Sequence, residues 1–122
     1  ENMEVTICRR DNSEKHQVKI DKIDEIPIIL QNIQDGLFND AKTFMDDNTC
    51  TTNSFADFTE TLSNDNQFIK AYWDGLEETE LKIKEETKAT IRCIIDDVND
   101  DTKKCIYSNK PAKHLVVFAK AY

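Results

Sequence analysis

Residues 26–45 read IPIILQNIQDGLFNDAKTFM, and the spacing of their apolar side chains decides how the rest of the chain is read. Ile26, Ile29, Leu30, Ile33, Leu37, Ala41, Phe44 and Met45 recur three and four residues apart, which lines one face of a helix and no face of a strand. Asp24 stands where a side-chain oxygen can cap the first amides. Pro27 falls in the first turn, where a missing N–H breaks no intrahelical bond. Gly36 costs about 1 kcal/mol relative to Ala in a helix interior, and the long apolar stripe outweighs that. A helix of ~20 residues is about 30 Å long, enough to bridge two subdomains.

Upstream the period is different. Met3, Val5 and Ile7 alternate with Glu4, Thr6 and Cys8, and Val18 and Ile20 alternate with Lys19 and Asp21. The turn-forming run Arg10–Lys15 separates them, so residues 3–20 predict a β-hairpin. Two strands alone are marginal in water, so the hairpin must pack on something. Downstream, residues 46–53 break the helix. Ser54 is placed to cap a short helix bearing Phe55, Phe58 and Leu62, and Asn64-Asp65-Asn66 predicts a turn. Phe68–Trp73 reads as a strand, Glu77–Lys88 as a charged helix and Thr90–Ile95 as a strand. Asp96–Asp101 reads as a solvated acidic loop, Cys105–Tyr107 as a short strand and Leu115–Ala119 as a final apolar strand. The expected class is α+β: a β-hairpin and long connecting helix followed by a small mixed α/β C-terminal domain.

Composition agrees with a folded chain. Of 122 residues, 39% are hydrophobic and 33% charged, with only 2 Gly and 2 Pro, which excludes a linker or low-complexity segment. No apolar run approaches the ~20 residues of a membrane span, and Glu1-Asn2-Met3-Glu4 does not read as the start of a signal peptide. The net charge of −8 excludes steering of nucleic acid by the whole chain. The distribution leaves room for a local basic patch. Residues 1–23 hold five Lys/Arg, and the last fourteen hold Lys110, Lys113 and Lys120 without an acid. Cys8, Cys50, Cys93 and Cys105 show no short metal-type spacing and read as reduced, buried thiols of a cytoplasmic protein. There is no Gly-rich phosphate loop, and His16 and His114 lack a nearby Cys or Ser to activate. Catalysis is not expected from these 122 residues.

The C-terminal half resembles a known family. Residues 82–94, KIKEETKATIRCI, are similar to the K-I-K-E-E-T-x-A-T-x-R-C-I stretch of archaeal and eukaryotic prolyl-tRNA synthetases. Lys104-Cys105-Ile106 and Asn109-Lys110-Pro111-Ala112-Lys113 resemble that family's C-x-x-C-G-K-P-A-K. Phe118-Ala119-Lys120-Ala121-Tyr122 resembles its terminal F-[AG]-[RK]-[AS]-Y. Upstream, Leu37-Phe38 and Ala41–Phe44 fit its helix L-[FY]-x-x-A-x-x-[FY], and Val5–Asp11 its strand V-x-x-x-R-R-D. The pieces occur in the family's order along essentially the whole chain.

The resemblance implies that residues 1–48 are the end of an anticodon-binding domain and residues 49–122 the C-terminal domain. It implies a fragment of proline–tRNA ligase, without the class II catalytic core and inactive alone. The intact enzyme is expected to bind tRNA-Pro, ATP and Mg and to be a homodimer. Arg9, Arg10 and Lys15, on the hairpin, are the expected tRNA contacts; surface pairing of the arginines with Asp11 or Glu14 is the other reading. Tyr122 is expected to support the active site of the parent's own catalytic domain, the alternative being an ordinary chain end. In many members of the family the small domain holds zinc through C-x4-C and C-x2-C. Carried over residue by residue, those places fall on Asp74, Thr79, Cys105 and Ser108. Zinc wants four ligands, usually thiolates or imidazoles, and Thr79 and Ser108 are poor ones, so zinc is not expected. Cys93 belongs to the R-C-I strand and is not expected to stand in. Because structural zinc can contribute about 10–16 kcal/mol, compensation is expected from apolar packing of Trp73, Ile91, Ile94, Leu115, Val117 and Phe118. The competing function is a free-standing acidic interaction module that binds a protein and no tRNA.

Overall fold

The computed structural model describes residues 3–64 and 67–120. The chain divides into two compact units, Glu1–Met45 and Asp46–Tyr122.

The first unit begins with the hairpin. β1 (Glu4–Cys8) and β2 (Lys15–Lys19) pair antiparallel, with Val5 opposite Val18 and Ile7 opposite His16. The period of two sorts the side chains: Val5 and Ile7 are half-buried and Val18 is buried, whereas Glu4, Thr6, Cys8, Lys15, Gln17 and Lys19 face out. Ser13 closes the turn at φ 61°, and the Asn12 side chain accepts the N–H of Glu14 at 3.0 Å. Two 3-10 turns, Ile20–Glu25, lead into α1 (Ile26–Asp47). The predicted helix is present, but its stripe is not a core. No residue of α1 is buried, and Leu30, Leu37, Phe44 and Met45 are each more than half exposed.

The second unit is built on a four-stranded sheet in the order β3-β4-β6-β5. β3 (Thr49–Thr51) runs parallel to β4 (Phe68–Trp73), with α2 (Phe55–Asn64) as the crossover that a parallel pair requires. α3 (Glu77–Thr87) follows, then the antiparallel partners β5 (Ala89–Asp97) and β6 (His114–Lys120). Lys88 ends α3 in the left-handed conformation, φ 65°, donating its N–H to Lys84 O.

The core collects one face from each element: Phe58 and Leu62, one turn apart on α2; Ile69 and Ala71, two apart on β4; Val116 and Phe118, two apart on β6; with Ile83, Ala89 and Ile106. Phe58 meets Phe118 edge-on at 5.2 Å and 88°, an arrangement that aromatic quadrupoles favour. Burying each ring fully is worth roughly 1.5–3 kcal/mol.

Two expectations are corrected. The apolar compensation list was half right in its face. Phe118 is buried and Trp73 and Ile91 pack on the core, but Val116 is the buried neighbour where Leu115 and Val117 were expected, and Ile94 is 54% exposed. Along β6 the period of two is unbroken, so Val116 and Phe118 share the buried face; the two register shifts, after Ile91 and after Ile94, lie in β5 and reset which of its own side chains face inward. Residues 105–107 form a turn, tied by Ile106 N–H to Tyr72 O at 2.9 Å and by Cys105 N–H to Lys110 O at 2.9 Å. Residues 46–53 do end the helix, and they also contain β3, whose polar Thr-Cys-Thr carries no strand pattern and which pairs along β4. The Asn64-Asp65-Asn66 turn lies partly outside the described residues.

Candidate functional site

Two places hold the residues singled out from the sequence, one in each unit. On the hairpin, Arg9 is spent on its neighbour. Its Nε donates to Asp11 Oδ1 at 3.1 Å and its Nη2 to Asp11 Oδ2 at 2.7 Å. This two-pronged bond, opposed by partial desolvation, raises the guanidinium pKa; from the other side the same bond holds the Asp11 carboxyl below its ordinary value. Arg10 is exposed and has no side-chain hydrogen bond or ion pair among the described residues. Lys15 is exposed on β2, opposite Cys8. Of the three candidate cations, Arg10 and Lys15 are thus uncommitted among the described residues, and Arg9 is already held by a carboxylate.

In the second unit, Asp74 follows β4 and Gly75 follows it at φ 79°, a conformation open to glycine and strained for other residues. The reversal aims Asp74 back at the start of α3. Its Oδ1 accepts the Leu76 N–H at 3.1 Å, its Oδ2 the Thr79 hydroxyl at 2.9 Å, and the same Oδ2 the Ser108 hydroxyl at 2.6 Å. Ser108 sits 34 residues away, in the turn closed by Asn109 N–H to Cys105 O at 3.2 Å; its Oγ also accepts the Lys110 N–H at 3.3 Å. Asp74 is 3% exposed and Thr79 5%. Burial is the largest single influence on Asp74 and opposes its charge. The bonds from Ser108, Leu76 and Thr79, with the charge of Lys110, together prevail and lower its pKa.

The structure therefore brings Asp74, Thr79 and Ser108 to one point and places Cys105, 2% exposed, in the same turn as Ser108. These residues do not fit a structural zinc ion. Both hydroxyl protons are donated to Oδ2, and both oxygens of the only carboxylate are already accepting. Among the described residues no three His, Cys, Asp or Glu side chains converge. Leu76 and Lys110 were missed by the sequence reading. The Asp-Gly pair at 74–75 was the available signal, since an Asp before a turn accepts the N–H two residues on. Tyr122 lies outside the described residues.

A family model described as "Prolyl-tRNA synthetase, C-terminal" matches residues 55–122. The proline–tRNA ligase of Amoebophilus asiaticus is 45% identical over 122 residues, covering 99% of this chain and 25% of that protein. The proline–tRNA ligase of Prosthecochloris aestuarii is 44% identical over 124 residues, covering 94% of this chain and 25% of that protein. The crystal structure of prolyl-tRNA synthetase from Cryptosporidium parvum complexed with L-proline and AMP superposes with a TM-score of 0.82 at 26% identity, covering 99% of this chain and 26% of that one. The chain spans about a quarter of the length of the curated relatives it matches.

Proposed function

The chain belongs to the prolyl-tRNA synthetase C-terminal family, and from that premise we propose that it is the C-terminal quarter of a proline–tRNA ligase, which charges tRNA-Pro with proline using ATP. One observation carries this reading: the likeness to one proline–tRNA ligase runs along nearly the whole chain, 99% of it, at 45% identity. In this reading residues 1–48 are the end of the anticodon-binding domain, and residues 49–122 are the C-terminal domain that braces the catalytic core. The chemistry, with ATP and Mg, belongs to the remaining three-quarters. The parent is a cytoplasmic homodimer. No helix among the described residues is long and apolar enough to cross a membrane.

The likeness to the Cryptosporidium structure over 99% of this chain is what supports assignment to the archaeal and eukaryotic type. Side chains exposed on α1, among them Phe38 at 62% and Phe44 at 69%, suit a surface covered by preceding parts of the ligase, because an apolar stripe of this kind is costly in water. The free-standing module loses ground, since no interaction partner is needed to explain the match.

The test is a comparison of the whole ligase with the same protein lacking these 122 residues. The chain alone should catalyse neither proline-dependent pyrophosphate exchange nor charging. The whole ligase should catalyse both, and the truncated one should lose charging. Full charging by the truncated enzyme would refute the role. So would a coding sequence that lacks class II synthetase motifs upstream of Glu1.

A further inference from the structure

The mismatch between the Asp74 cluster and a metal has a physical consequence. Any clamp at this place must join two segments distant in sequence: the β4–α3 reversal at residues 74–79 and the turn at 105–110. A tetrahedral ion does so by ligating side chains from both. Here one oxygen, Asp74 Oδ2, accepts from Thr79 at 2.9 Å and from Ser108 at 2.6 Å, so the same two segments meet on one carboxylate.

Everything around that oxygen is arranged for hydrogen bonding. Oδ1 holds the Leu76 N–H at the start of α3, where Leu76 brings no capping side chain of its own. The indole N–H of Trp73 donates to Leu76 O at 3.3 Å, and Thr79 N–H to the same carbonyl at 3.1 Å. On the other side, Ser108 is held by the Lys110 N–H, and the turn is pinned to β4 through Ile106 N–H to Tyr72 O at 2.9 Å. Bonds to a charged acceptor are roughly twice as strong as neutral ones, and with Asp74 buried they are little screened.

We propose that Asp74, with the hydroxyls of Thr79 and Ser108, is a metal-independent clamp that fastens the start of α3 to the 105–110 turn. It replaces, by hydrogen bonds to one carboxylate, the cross-link that the family resemblance assigns to zinc. Where apolar packing alone was expected in place of the ion, the replacement is polar and uses three of the four positions, Asp74, Thr79 and Ser108.

The experiment uses the intact chain. Purified in the presence of zinc, it should contain no stoichiometric metal, and its thermal midpoint should be unchanged by a strong chelator. Ser108→Ala and Thr79→Val, which remove one donor each, should lower the midpoint by roughly 4–8 °C, as loss of one ordinary hydrogen bond does in a domain of this size. Asp74→Asn should lower it further. In the Asp74→Asn background, Ser108→Ala should cost much less than in the native chain, because the two residues share a bond. One molar equivalent of zinc, a chelator-induced fall in the midpoint, or additive effects of Asp74→Asn and Ser108→Ala would each overturn the proposal. If Asp74→Asn fails to fold, the chelator arm and the two hydroxyl variants still decide it.

Discussion

The ammonium of Lys120 donates to the carbonyl oxygen of Leu62 at 2.8 Å, across 58 residues of sequence. Lys120 is the last residue of β6 and Leu62 lies in the last turn of α2. The end of a helix gathers unpaired carbonyls and partial negative charge, so a cation there is favoured twice, by the hydrogen bond and by the field. The bond also anchors the strand that leads in sequence to Tyr122. Lys120→Met keeps most of the apolar stem and removes the charge. It should cost about 0.5–1.5 kcal/mol, measured by urea unfolding, whereas Lys120→Arg should recover most of the loss.

Acid should weaken the second unit through Asp74. Its carboxyl titrates below its ordinary value in the folded chain, so the folded state favours the ionised form. The resulting stability is complete above the unfolded pKa of about 3.9. It falls away as pH drops from there through the lower folded value, because the unfolded chain then binds the proton first. Urea midpoints followed from neutrality down to pH 2 should therefore fall, and Asp74→Asn should flatten that slope while lowering stability at neutral pH by about 1–3 kcal/mol. An unaltered slope in the variant would assign the acid sensitivity to other carboxylates.

Gly75 offers a purely conformational test. Its φ of 79° disfavours any residue with a Cβ. An added methyl would also stand 3.1 Å from Lys113 Cδ and 3.5 Å from the His114 ring. The lysine stem can move, so backbone strain is the main cost. Gly75→Ala should lose about 1–2 kcal/mol, visible in thermal unfolding. It should also loosen the Asp74 cluster, seen as faster exchange of the Leu76 amide that Asp74 holds.

What could be read ahead of the structure followed how local the cause was. The hairpin, α1, α2, β4 and α3 are each announced by a run of alternating or helically spaced side chains, and each is present. β3 and the 105–110 turn have no such run; they exist because β4 and Tyr72 O hold them, and that support comes from elsewhere in the chain. Val116 shares the buried face with Phe118 by the period of two in β6, whereas the exposure of Ile94 follows two register shifts in β5 that its own run of residues does not announce. The α1 stripe was legible as helix, yet its exposure was not, since spacing says which side chains share a face and nothing of what covers it. For the polar cluster, family likeness marked positions 74, 79, 105 and 108. The bond from Ser108 to Asp74 spans 34 residues, and only the fold discloses it.

The two hairpin arginines should behave differently if the hairpin has the proposed role in tRNA binding. Both occur in the same short motif, Arg9-Arg10-Asp11, so sequence treats them alike. The structure does not. Arg9 already gives two bonds to Asp11, and to grip a phosphate it would have to surrender them or share its remaining N–H groups. Arg10 is exposed and uncommitted among the described residues, and Lys15 is likewise exposed on β2. In the whole ligase, Arg10→Ala should raise the KM for tRNA-Pro, leave proline-dependent pyrophosphate exchange unchanged, and reduce the salt dependence of tRNA binding by a slope of about 1, as loss of one phosphate contact does. Lys15→Ala should act in the same direction. Arg9→Ala should change the KM less and instead disturb the turn that Asp11 helps to hold. A larger effect from Arg9 than from Arg10 would mean that the Asp11 pair opens on binding, and an unchanged KM in all three variants would remove the hairpin from the tRNA interface.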